Sequence, residues 1–216
     1  MNSSVDLSDG IEVVKTTPQS RLLIAAFDLF QNNDYNKVTT RQLAAKASSS
    51  AGMIKYCFGS KQGLYEEMIR QQFNRLEQGL LSAYSEEQGL NLKKLFANYA
   101  IFHKNNPDHC KFIMSILAYK EGPGYLLLTA LLDRKWNLLK SLIESSQKNN
   151  HITKKLDVDV FRVVLTSLSI FPFLIKDVLK QSGSITSENI FENTAGFSAS
   201  ILQASLNGNA DDIVSV

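Results

Sequence analysis

The spacing of helix-breaking residues is the feature of this sequence that most constrains its fold. The 216-residue chain contains only four prolines and eleven glycines, and the long stretches between them repeat apolar residues at helical spacing. Apolar residues make up 44% of the chain and charged residues 20%, which are ordinary values for a globular protein with a buried core. The sequence therefore predicts an all-α fold.

Two short helices are predicted at the start of this fold. Thr17 is suited to cap the first helix, with Pro18 at its first helical position. Residues 32–34, Asn-Asn-Asp, should end it, because Asn and Asp tolerate a left-handed turn. Thr39 should open the second helix, since Gln42 follows three residues later in the spacing of a capping box.

A third helix and a longer fourth helix are predicted to follow. Three serines at 48–50 break the second helix, the third spans about 51–57, and Ser60 caps a fourth that continues to about Ala83. Two short helices joined by a tight turn and packed on a first helix form a helix-turn-helix unit. We therefore expect an N-terminal three-helix head over residues 17–62.

The remainder of the chain predicts a larger helical body over residues 63–206, for ligand binding and dimerisation. Its helices are expected at about 90–105, 108–120, 125–148, 156–180 and 187–206. Polar residues dominate both ends of the chain, so 1–16 is expected to be a disordered tail and 207–216 a loose one.

Positive charge is concentrated in the head. From Lys15 to Tyr65 seven basic residues face two acidic ones, which gives this segment a net charge of +5 and leaves −3 for the rest of a chain whose total is +2. A basic head on a mildly acidic body suits a polyanionic partner. A chance clustering of surface lysines is the alternative, which charge alone does not exclude.

The third helix is the candidate recognition helix for the DNA major groove. Ile54 and Phe58 share one face and are expected to fill the core of the head. Lys55 can donate to guanine edges or phosphate, and Tyr56 can contact phosphate, sugar or a thymine methyl group. The predicted DNA-binding residues, which include the openings of the helices, are Thr39, Thr40, Arg41, Ser50, Ala51, Gly52, Met53, Lys55, Tyr56 and Lys61.

A family resemblance strengthens this interpretation. Residues 21–30, Tyr35, 38–44, 50–61 and Leu64 resemble, in register and without gaps, the N-terminal signature of the TetR family of bacterial transcriptional regulators. The resemblance implies a homodimer, a variable C-terminal ligand domain, and release from a pseudo-palindromic DNA operator when ligand binds. It also implies that the family's DNA contacts fall on Thr39, Thr40, Ser50, Lys55, Tyr56 and Lys61.

Four positions depart from the family pattern. Ser48 stands in the turn where the family usually has Gly, and Asp34 replaces a common Gly after the first helix. Lys55 and Cys57 stand where Tyr or Asn and His are frequent. A non-glycine residue in a left-handed turn costs roughly 1 kcal/mol. We therefore expect adjusted turn geometry and altered DNA contacts at these positions.

A ligand site in the body is predicted from aromatic residues at helical spacing. Bundle interiors hold ligands between apolar walls with a few polar groups, and a small, mostly hydrophobic effector would suit this one. Simple core packing is the alternative interpretation for each residue. The candidates are Phe96, Tyr99, His103, Phe112, Tyr119, Trp136 and Phe161.

The last two long helices are the predicted dimer interface. The helix at 156–180 is apolar nearly all round, a pattern that needs burial on more than one side, and Pro172 should kink it. Small residues along the final helix permit close approach of another helix. The predicted interface residues are Val164, Leu168, Phe171, Ala195, Ala199 and Leu202; intramolecular core is the alternative.

Other functional classes find little support in the sequence. It lacks a nucleophile elbow, a phosphate-binding loop and a dinucleotide fingerprint, so we expect no enzyme and no cofactor. His103, His109 and Cys110 match no standard zinc spacing, so no metal site is predicted. Two cysteines and a polar N-terminus without an apolar run suggest a cytoplasmic protein that is not anchored in a membrane.

Two other kinds of DNA-associated protein remain as alternatives. An architectural DNA binder would not need a helical body of this size. A regulator controlled by a partner protein instead of a small molecule stays open, because the body has no motif that identifies its effector.

Overall fold

The computed structural model describes residues 17–153, 156–183 and 190–206, and within these ranges the chain is all-α. The described residues contain ten helices, one 3-10 turn at Tyr35–Lys37 and one two-stranded hairpin. The helices are α1 (Pro18–Phe30), α2 (Thr40–Lys46), α3 (Ala51–Phe58), α4 (Lys61–Ser82), α5 (Leu92–Asn105), α6 (His109–Ala118), α7 (Tyr125–Lys148), α8 (Val158–Leu174), α9 (Lys176–Gln181) and α10 (Ile190–Leu206). The tails predicted at 1–16 and 207–216 lie outside the described residues.

The first helix begins as predicted but ends by a different mechanism. The Thr17 hydroxyl accepts a hydrogen bond from the Ser20 backbone N–H at 3.1 Å, and Pro18 occupies the first helical position. At the other end, the Asn32 and Asn33 side-chain amides donate to the carbonyls of residues 28 and 29. No residue at 32–34 has a positive φ. The two asparagines thus end the helix by bonding its last carbonyls, so the expected left-handed turn is wrong.

The helix predicted at 156–180 is divided into two. Helix α8 ends at Leu174, Ile175 leaves helical geometry with φ −92° and ψ 3°, and α9 follows at once. Pro172 lies in the last turn of α8. Proline has no N–H to donate and its ring crowds the carbonyl four residues earlier, which weakens the ladder at this point. The predicted kink is therefore a complete break just after the proline.

A small antiparallel hairpin was missed by the sequence analysis. Its strands, β1 (Tyr84–Ser85) and β2 (Gly89–Leu90), pair Tyr84 with Leu90 and Ser85 with Gly89. Gly89 has φ +70°, and a Cβ there would lie 2.9 Å from the Ser146 hydroxyl oxygen. Two-residue strands are too short to show an alternating pattern, and only the glycine marks the turn.

The contacts divide the described chain into two compact units. The first contains residues 17–72 and 115–128, and the second contains 73–114 and 129–206 without the undescribed gaps. Helix α4 contributes to both units, because the division falls after Gln72. The boundary that we predicted at 62/63 stays a prediction.

The first unit is centred on α1 to α3 and the start of α4. Leu22, Leu43, Ile54 and Leu64 are fully buried there, one from each helix. Beside them the rings of Phe30, Tyr35 and Tyr65 form a cluster with centroid distances of 4.6–5.7 Å. Burial raises the pKa of the Tyr65 hydroxyl to about 12, so this hydroxyl stays neutral. The helix-turn-helix head thus has its own core.

The second unit has a larger apolar core. Helix α10 packs mainly on α5 and also on α8. The fully buried side chains include Leu92 and Leu95 of α5, Ile143 of α7, and Ala199 and Leu206 of α10. This core holds the helices that surround the cavity described below.

Candidate DNA-binding surface and ligand cavity

The helix starts of the head are capped by the hydroxyl residues that the sequence indicated. The Thr39 hydroxyl accepts from the Gln42 N–H at 3.2 Å, while the Gln42 side-chain oxygen accepts from the Thr39 N–H at 2.8 Å, which completes the predicted capping box. Ser50 caps α3 through the Met53 N–H at 3.3 Å, and Ser60 accepts from the Gly63 N–H at 3.0 Å. Thr39, Thr40 and Ser50 are all exposed, so these N-termini face solvent.

The turn between α2 and α3 is left-handed at the position where Gly was expected. Ser48 has φ +48°, the conformation that L-residues other than Asn, Asp and Gly rarely adopt. The Ser49 N–H donates to the Ala44 carbonyl at 2.9 Å and the Ser48 N–H to the Ala45 carbonyl at 3.1 Å, the pattern of a Schellman cap. Arg21 of α1 supports the same turn, since its Nε donates to the Ala47 carbonyl at 3.1 Å.

Helix α3 separates into an inner and an outer face. Ile54 is buried in the core of the head and Phe58 is half-buried. Tyr56 is 85% exposed, and Lys55 is exposed beside it. Among the other predicted contact residues of this helix, Ala51 and Gly52 are exposed and Met53 is half-buried. The outer face therefore combines small residues with one cation and one phenol.

Most basic side chains of the head have partners within the head. Lys46 pairs with Asp28 at 3.2 Å and Lys37 with Asp34 at 3.0 Å. Exposed Arg41, on the first turn of α2, and exposed Lys55, on α3, make no side-chain hydrogen bond or ion pair to any part of the chain that the structure describes. These two cations are the ones that stay available for a phosphate or a base.

Lys61 occupies a more internal position than the sequence suggested. Its ammonium donates to the carbonyls of Tyr35 at 3.0 Å and Val38 at 2.9 Å, and it lies 4.0 Å from the centroid of the Tyr35 ring. Partial burial lowers its pKa. Its contact with DNA stays a prediction. The geometry gives it a structural role, because it joins the start of α4 to the loop before α2.

The second unit encloses a cavity of about 50 Å³. Its walls come from α4 to α8 and are mostly apolar, with a few polar side chains among them. The lining residues are Phe73, Leu76, Leu80, Tyr99, His103, His109, Cys110, Ile113, Leu132, Lys135, Trp136, Leu139, Leu165, Thr166, Ser169 and Ile170.

A buried group of two histidines and a cysteine lies on one side of this cavity. The His103 Nδ1 is 3.5 Å from the Cys110 Sγ, and the His103 and His109 ring centroids are 5.7 Å apart. Burial lowers the pKa of His103 to about 4 and that of His109 to about 3, with nearby Lys135 contributing to both. Both rings are therefore neutral near pH 7. Within the described residues no three His, Cys, Asp or Glu side chains are arranged to hold a metal ion.

Two cations lie over aromatic rings in this unit. The Lys135 Nζ is 4.7 Å from the centroid of the Tyr99 ring. The guanidinium of Arg162, on α8, lies 4.5 Å from the centroid of the Trp136 ring, on α7. Arg162 also pairs with Asp159 at 3.5 Å, whereas the Lys135 ammonium has the ring contact without a carboxylate partner among the described residues.

The structure brings three of the seven predicted ligand residues together and separates the others. Tyr99, His103 and Trp136 line the cavity. Phe96, Phe112 and Phe161 are buried in the packed interior and do not line it, and Tyr119 is half exposed and does not line it either. The sequence analysis missed Lys135, Cys110 and the residues of α4. Lys135 follows Asp133 and Arg134 in the sequence, so no local pattern distinguishes it from a surface lysine.

The predicted dimer residues divide between two environments. On α8, Val164 and Phe171 are exposed and Leu168 is half-buried. On α10, Ala199 is 0% and Leu202 4% exposed within a single chain, and Ala195 packs against the same core. These three residues of α10 thus lie on the face that packs within the same chain. The exposed large apolar side chains of α10 among the described residues are instead Phe197 and Ile201.

Comparison with protein families identifies the head. Residues 22–68 match the family described as bacterial regulatory proteins, tetR family. These residues run from α1 through the first two turns of α4, so they contain the capped helices, the Ser48 turn and the outer face of α3. No curated protein matches the sequence.

Solved structures share the fold of the whole chain. GusR of Salmonella enterica superposes with a TM-score of 0.63 at 16% identity, over 88% of this chain and 95% of that protein. A tetR-family regulatory protein from Rhodococcus RHA1 gives 0.66 at 15% identity, over 88% and 97%. The fatty acid degradation regulator FadR from Bacillus halodurans gives 0.63 at 15%, over 88% and 96%. At these identities the likeness establishes the fold alone.

Residues 22–68 thus resemble the N-terminal part of bacterial regulatory proteins of the tetR family. The all-helical fold of the described residues is the one that its structural neighbours share. Between residues 17 and 206, leaving out the undescribed gaps, no helix has the length and apolar character needed to cross a bilayer.

Proposed function

We propose that this protein is a repressor that binds a pseudo-palindromic operator as a homodimer and leaves it when a small, mostly hydrophobic ligand enters the second unit. The observation that carries the DNA part is the outer face of α3, where Lys55 and Tyr56 are exposed beside the small residues Ala51 and Gly52. Small residues allow the helix backbone to approach the bases, and the cation has no competing partner among the described residues. A major-groove reader needs this combination.

Backbone contacts in this proposal come from the helix starts that flank α3. In this proposal phosphate binds beside the exposed residues Thr39, Thr40 and Ser50 at the starts of α2 and α3, where the helix dipoles favour an anion. Arg41, in the first turn of α2, adds a cation that has no partner among the described residues. Lys61 contributes through the geometry of the head, since its ammonium already bonds two carbonyls.

The effector part of the proposal depends on the cavity and on α4. A cavity of about 50 Å³ is smaller than the roughly 300–1,000 Å³ of typical ligand pockets. A ligand must therefore displace lining side chains as it enters, and Phe73, Leu76 and Leu80 of α4 are among them. The same helix begins at Lys61, in the head. Ligand binding thus favours one setting of α4 over another.

The consequence for DNA binding follows from two-fold symmetry. Paired heads must lie about one helical repeat apart, roughly 34–36 Å, to reach both half-sites. A shift of α4 in both protomers changes this spacing, so only one setting binds the operator tightly. The ligand releases the protein from the operator because it binds more tightly to the position of α4 that does not fit both half-sites.

The test of the DNA role is selection of fragments from the source genome by the full-length protein, followed by sequencing. We expect enrichment of one pseudo-palindromic element with half-sites about 10 bp apart or a multiple of that. Enrichment of no sequence, with binding that is uniform along DNA, would instead indicate an architectural DNA binder. The genes beside the operator then direct the search for the ligand.

The test of release uses this operator with the low-molecular-weight and the protein fractions of a cell extract. Loss of binding with the small-molecule fraction supports the effector cavity. Loss with the protein fraction alone would contradict it and would favour a regulator controlled by a partner protein.

A further inference from the structure

The cavity of the second unit contains one charged side chain and no counter-ion. Lys135 is its only lining residue with a formal charge, because the lining contains no Asp, Glu or Arg and both histidines are neutral. Its ammonium lies over the Tyr99 ring at 4.7 Å and pairs with no carboxylate among the described residues. Lys135 is half-buried, and an anion beside its ammonium would balance a charge that no other lining side chain balances.

A second observation indicates a polar ligand group in the same place. The Nδ1 atom of His109 is buried and has no hydrogen-bond partner, although the residue is only 3% exposed and lines the cavity. Buried polar groups without a partner are rare and costly. The hydroxyl groups of Tyr99 and Thr166 also line the cavity and bond no other described residue. A ligand in the cavity could form hydrogen bonds with these groups.

The remaining walls favour an apolar body for the occupant. Phe73, Leu76, Leu80, Ile113 and Leu139 supply hydrocarbon on several sides. Burying such surface against a ligand contributes about 25 cal/mol per Å², so the apolar part supplies affinity and the polar group supplies orientation.

We propose that the effector is a monocarboxylate with an apolar body, whose carboxylate pairs with Lys135 and whose chain or ring lies against the leucines and phenylalanine of the wall. His109 and Tyr99 then donate to the carboxylate oxygens. Charge-assisted hydrogen bonds of this kind are stronger than neutral ones. This inference depends on the proposed effector role of the cavity and adds the chemical class of the ligand.

The chain provides its own reporter for a test. Trp136 is the single tryptophan of the sequence and lines the cavity, so its fluorescence can follow binding to the full-length protein. The probes are straight-chain carboxylates, alcohols and amines of six to twelve carbons (about the range of single-chain amphiphiles that stay soluble), matched in chain length and titrated below their micelle concentrations. The three head groups differ in charge while the apolar body stays the same.

We expect the best carboxylate to bind at least about tenfold more tightly than the alcohol of equal length, and the amine to bind most weakly. In Lys135→Met, whose side chain keeps most of the apolar stem, the carboxylate should lose this advantage while the alcohol binds as before. Unchanged alcohol binding also shows that the variant is folded. Lys140→Met, an exposed lysine of the same helix, is the matched control and should leave all affinities unchanged.

The possible failures are distinguishable. Equal affinity for carboxylate and alcohol, or a preference for the amine, would overturn the anionic ligand while leaving an apolar effector in place. An unchanged carboxylate preference in Lys135→Met would overturn the role of this lysine. Absence of binding by every head group and chain length would contradict the effector cavity itself, and with it the proposed mode of release.

Discussion

At the scale of single residues, the DNA-binding surface is defined by which side chains are already occupied. In the sequence, the basic residues from Lys15 to Lys61 look equivalent. In the structure, Lys37 and Lys46 have carboxylate partners, and Lys61 bonds two carbonyls. The Lys37–Asp34 pair is local in sequence, but Lys61 contacts a residue 26 positions away, which no local pattern reveals. Among the described residues of the head, Arg41 and Lys55 are therefore the cations that are available to contact DNA.

Lys55→Ala is expected to lower operator affinity by about 1–3 kcal/mol, roughly five- to 150-fold, because the substitution removes an unpaired cation from the outer face of α3. Fluorescence anisotropy over a range of salt concentrations measures the effect and tells two roles apart. A base contact relaxes sequence preference, whereas a phosphate contact weakens all DNA alike and lowers the salt slope by about one.

Lys37→Ala is the control for this experiment. It removes an exposed cation of the same head that is paired with Asp34, and we expect little change in affinity. Tyr56→Ala tests the neighbouring phenol by the same assay. Undiminished operator affinity in both Lys55→Ala and Tyr56→Ala would contradict the assignment of α3 as the recognition helix.

Ser48→Gly is expected to stabilise the protein. Ser48 holds φ +48° in the turn of the head, and a non-glycine residue in this region costs roughly 1–2 kcal/mol. The greater freedom of glycine in the unfolded chain offsets part of this gain. A net gain of about 1 kcal/mol corresponds to a rise of about 2–4 °C in Tm for a chain of this length, measured by thermal unfolding.

The adjacent serine provides the contrast for this substitution. Ser49 has no positive φ, so Ser49→Gly adds flexibility without relieving strain and should lower Tm slightly. Equal shifts for the two variants would contradict the strained turn.

At the scale of elements, capping chemistry and helical period were sufficient to place most helices. Helix α7 spans 125–148 as predicted, and Thr17, Thr39 and Ser50 cap the helices assigned to them. The break between α8 and α9 was missed because periodicity continues through Pro172 even though the hydrogen-bond ladder does not. The face of α10 was misread because an apolar stripe does not say whether its partner lies in the same chain.

The cavity was only partly predictable for a related reason. Aromatic residues on α5 and α7 indicated its neighbourhood, but the contributions of α4, α6 and α8 come from packing between distant segments. Phe96 and Phe161 follow the helical spacing of apolar residues, as Tyr99 does, but their side chains are packed in the core and do not line the cavity. Helical period identifies buried faces, and it does not distinguish a filled interior from a lined cavity.

Acid destabilisation is the prediction that belongs to α5 and α6. His103 and His109 are neutral in the folded protein, with pKa values of about 4 and about 3, whereas unfolding restores the ordinary value near 6.5. Between these values the unfolded chain binds more protons than the folded one, so stability is fully present above about pH 6.5 and is lost as the pH falls toward 4. Urea denaturation at a series of pH values should show this decline.

His103→Gln and His109→Gln identify the source of the decline. Each substitution removes one titrating ring, so the pH dependence between 6.5 and 4 should be shallower even where the variant is less stable overall. His151→Gln, a half-buried histidine elsewhere in the second unit, is the control. An unaltered slope in both buried-histidine variants would contradict the role of this pair.

At the scale of the whole molecule, the proposed function requires two copies of the chain. One head reads one half-site, and a single chain has no means to sense the distance between two. Helices α8 and α10 are neighbours in the second unit, and both expose apolar side chains. On α8 the exposed residues Val160, Val164 and Phe171 follow helical spacing along one face. Exposed apolar surface of this kind marks an interaction site.

Charge substitution on these helices tests the dimer. Phe171→Glu on α8 and Phe197→Glu on α10, exposed by 57% and 69% in the single chain, place carboxylates where we expect a two-fold contact. Both variants should sediment as folded monomers at micromolar concentration, whereas the unaltered protein sediments as a dimer. Leu126→Glu, on α7 and 78% exposed, is the matched control and should stay dimeric.

Operator binding connects this assembly to the function. A monomer retains its α3 surface but loses the second half-site, so its affinity for the full operator should fall to that for a single half-site, while its affinity for an isolated half-site stays the same. A monomeric wild-type protein would refute the dimer, and dimeric glutamate variants would place the interface elsewhere. Because the two measurements are made on the same variants, a loss of DNA binding that comes from misfolding is recognised by the accompanying loss of half-site affinity.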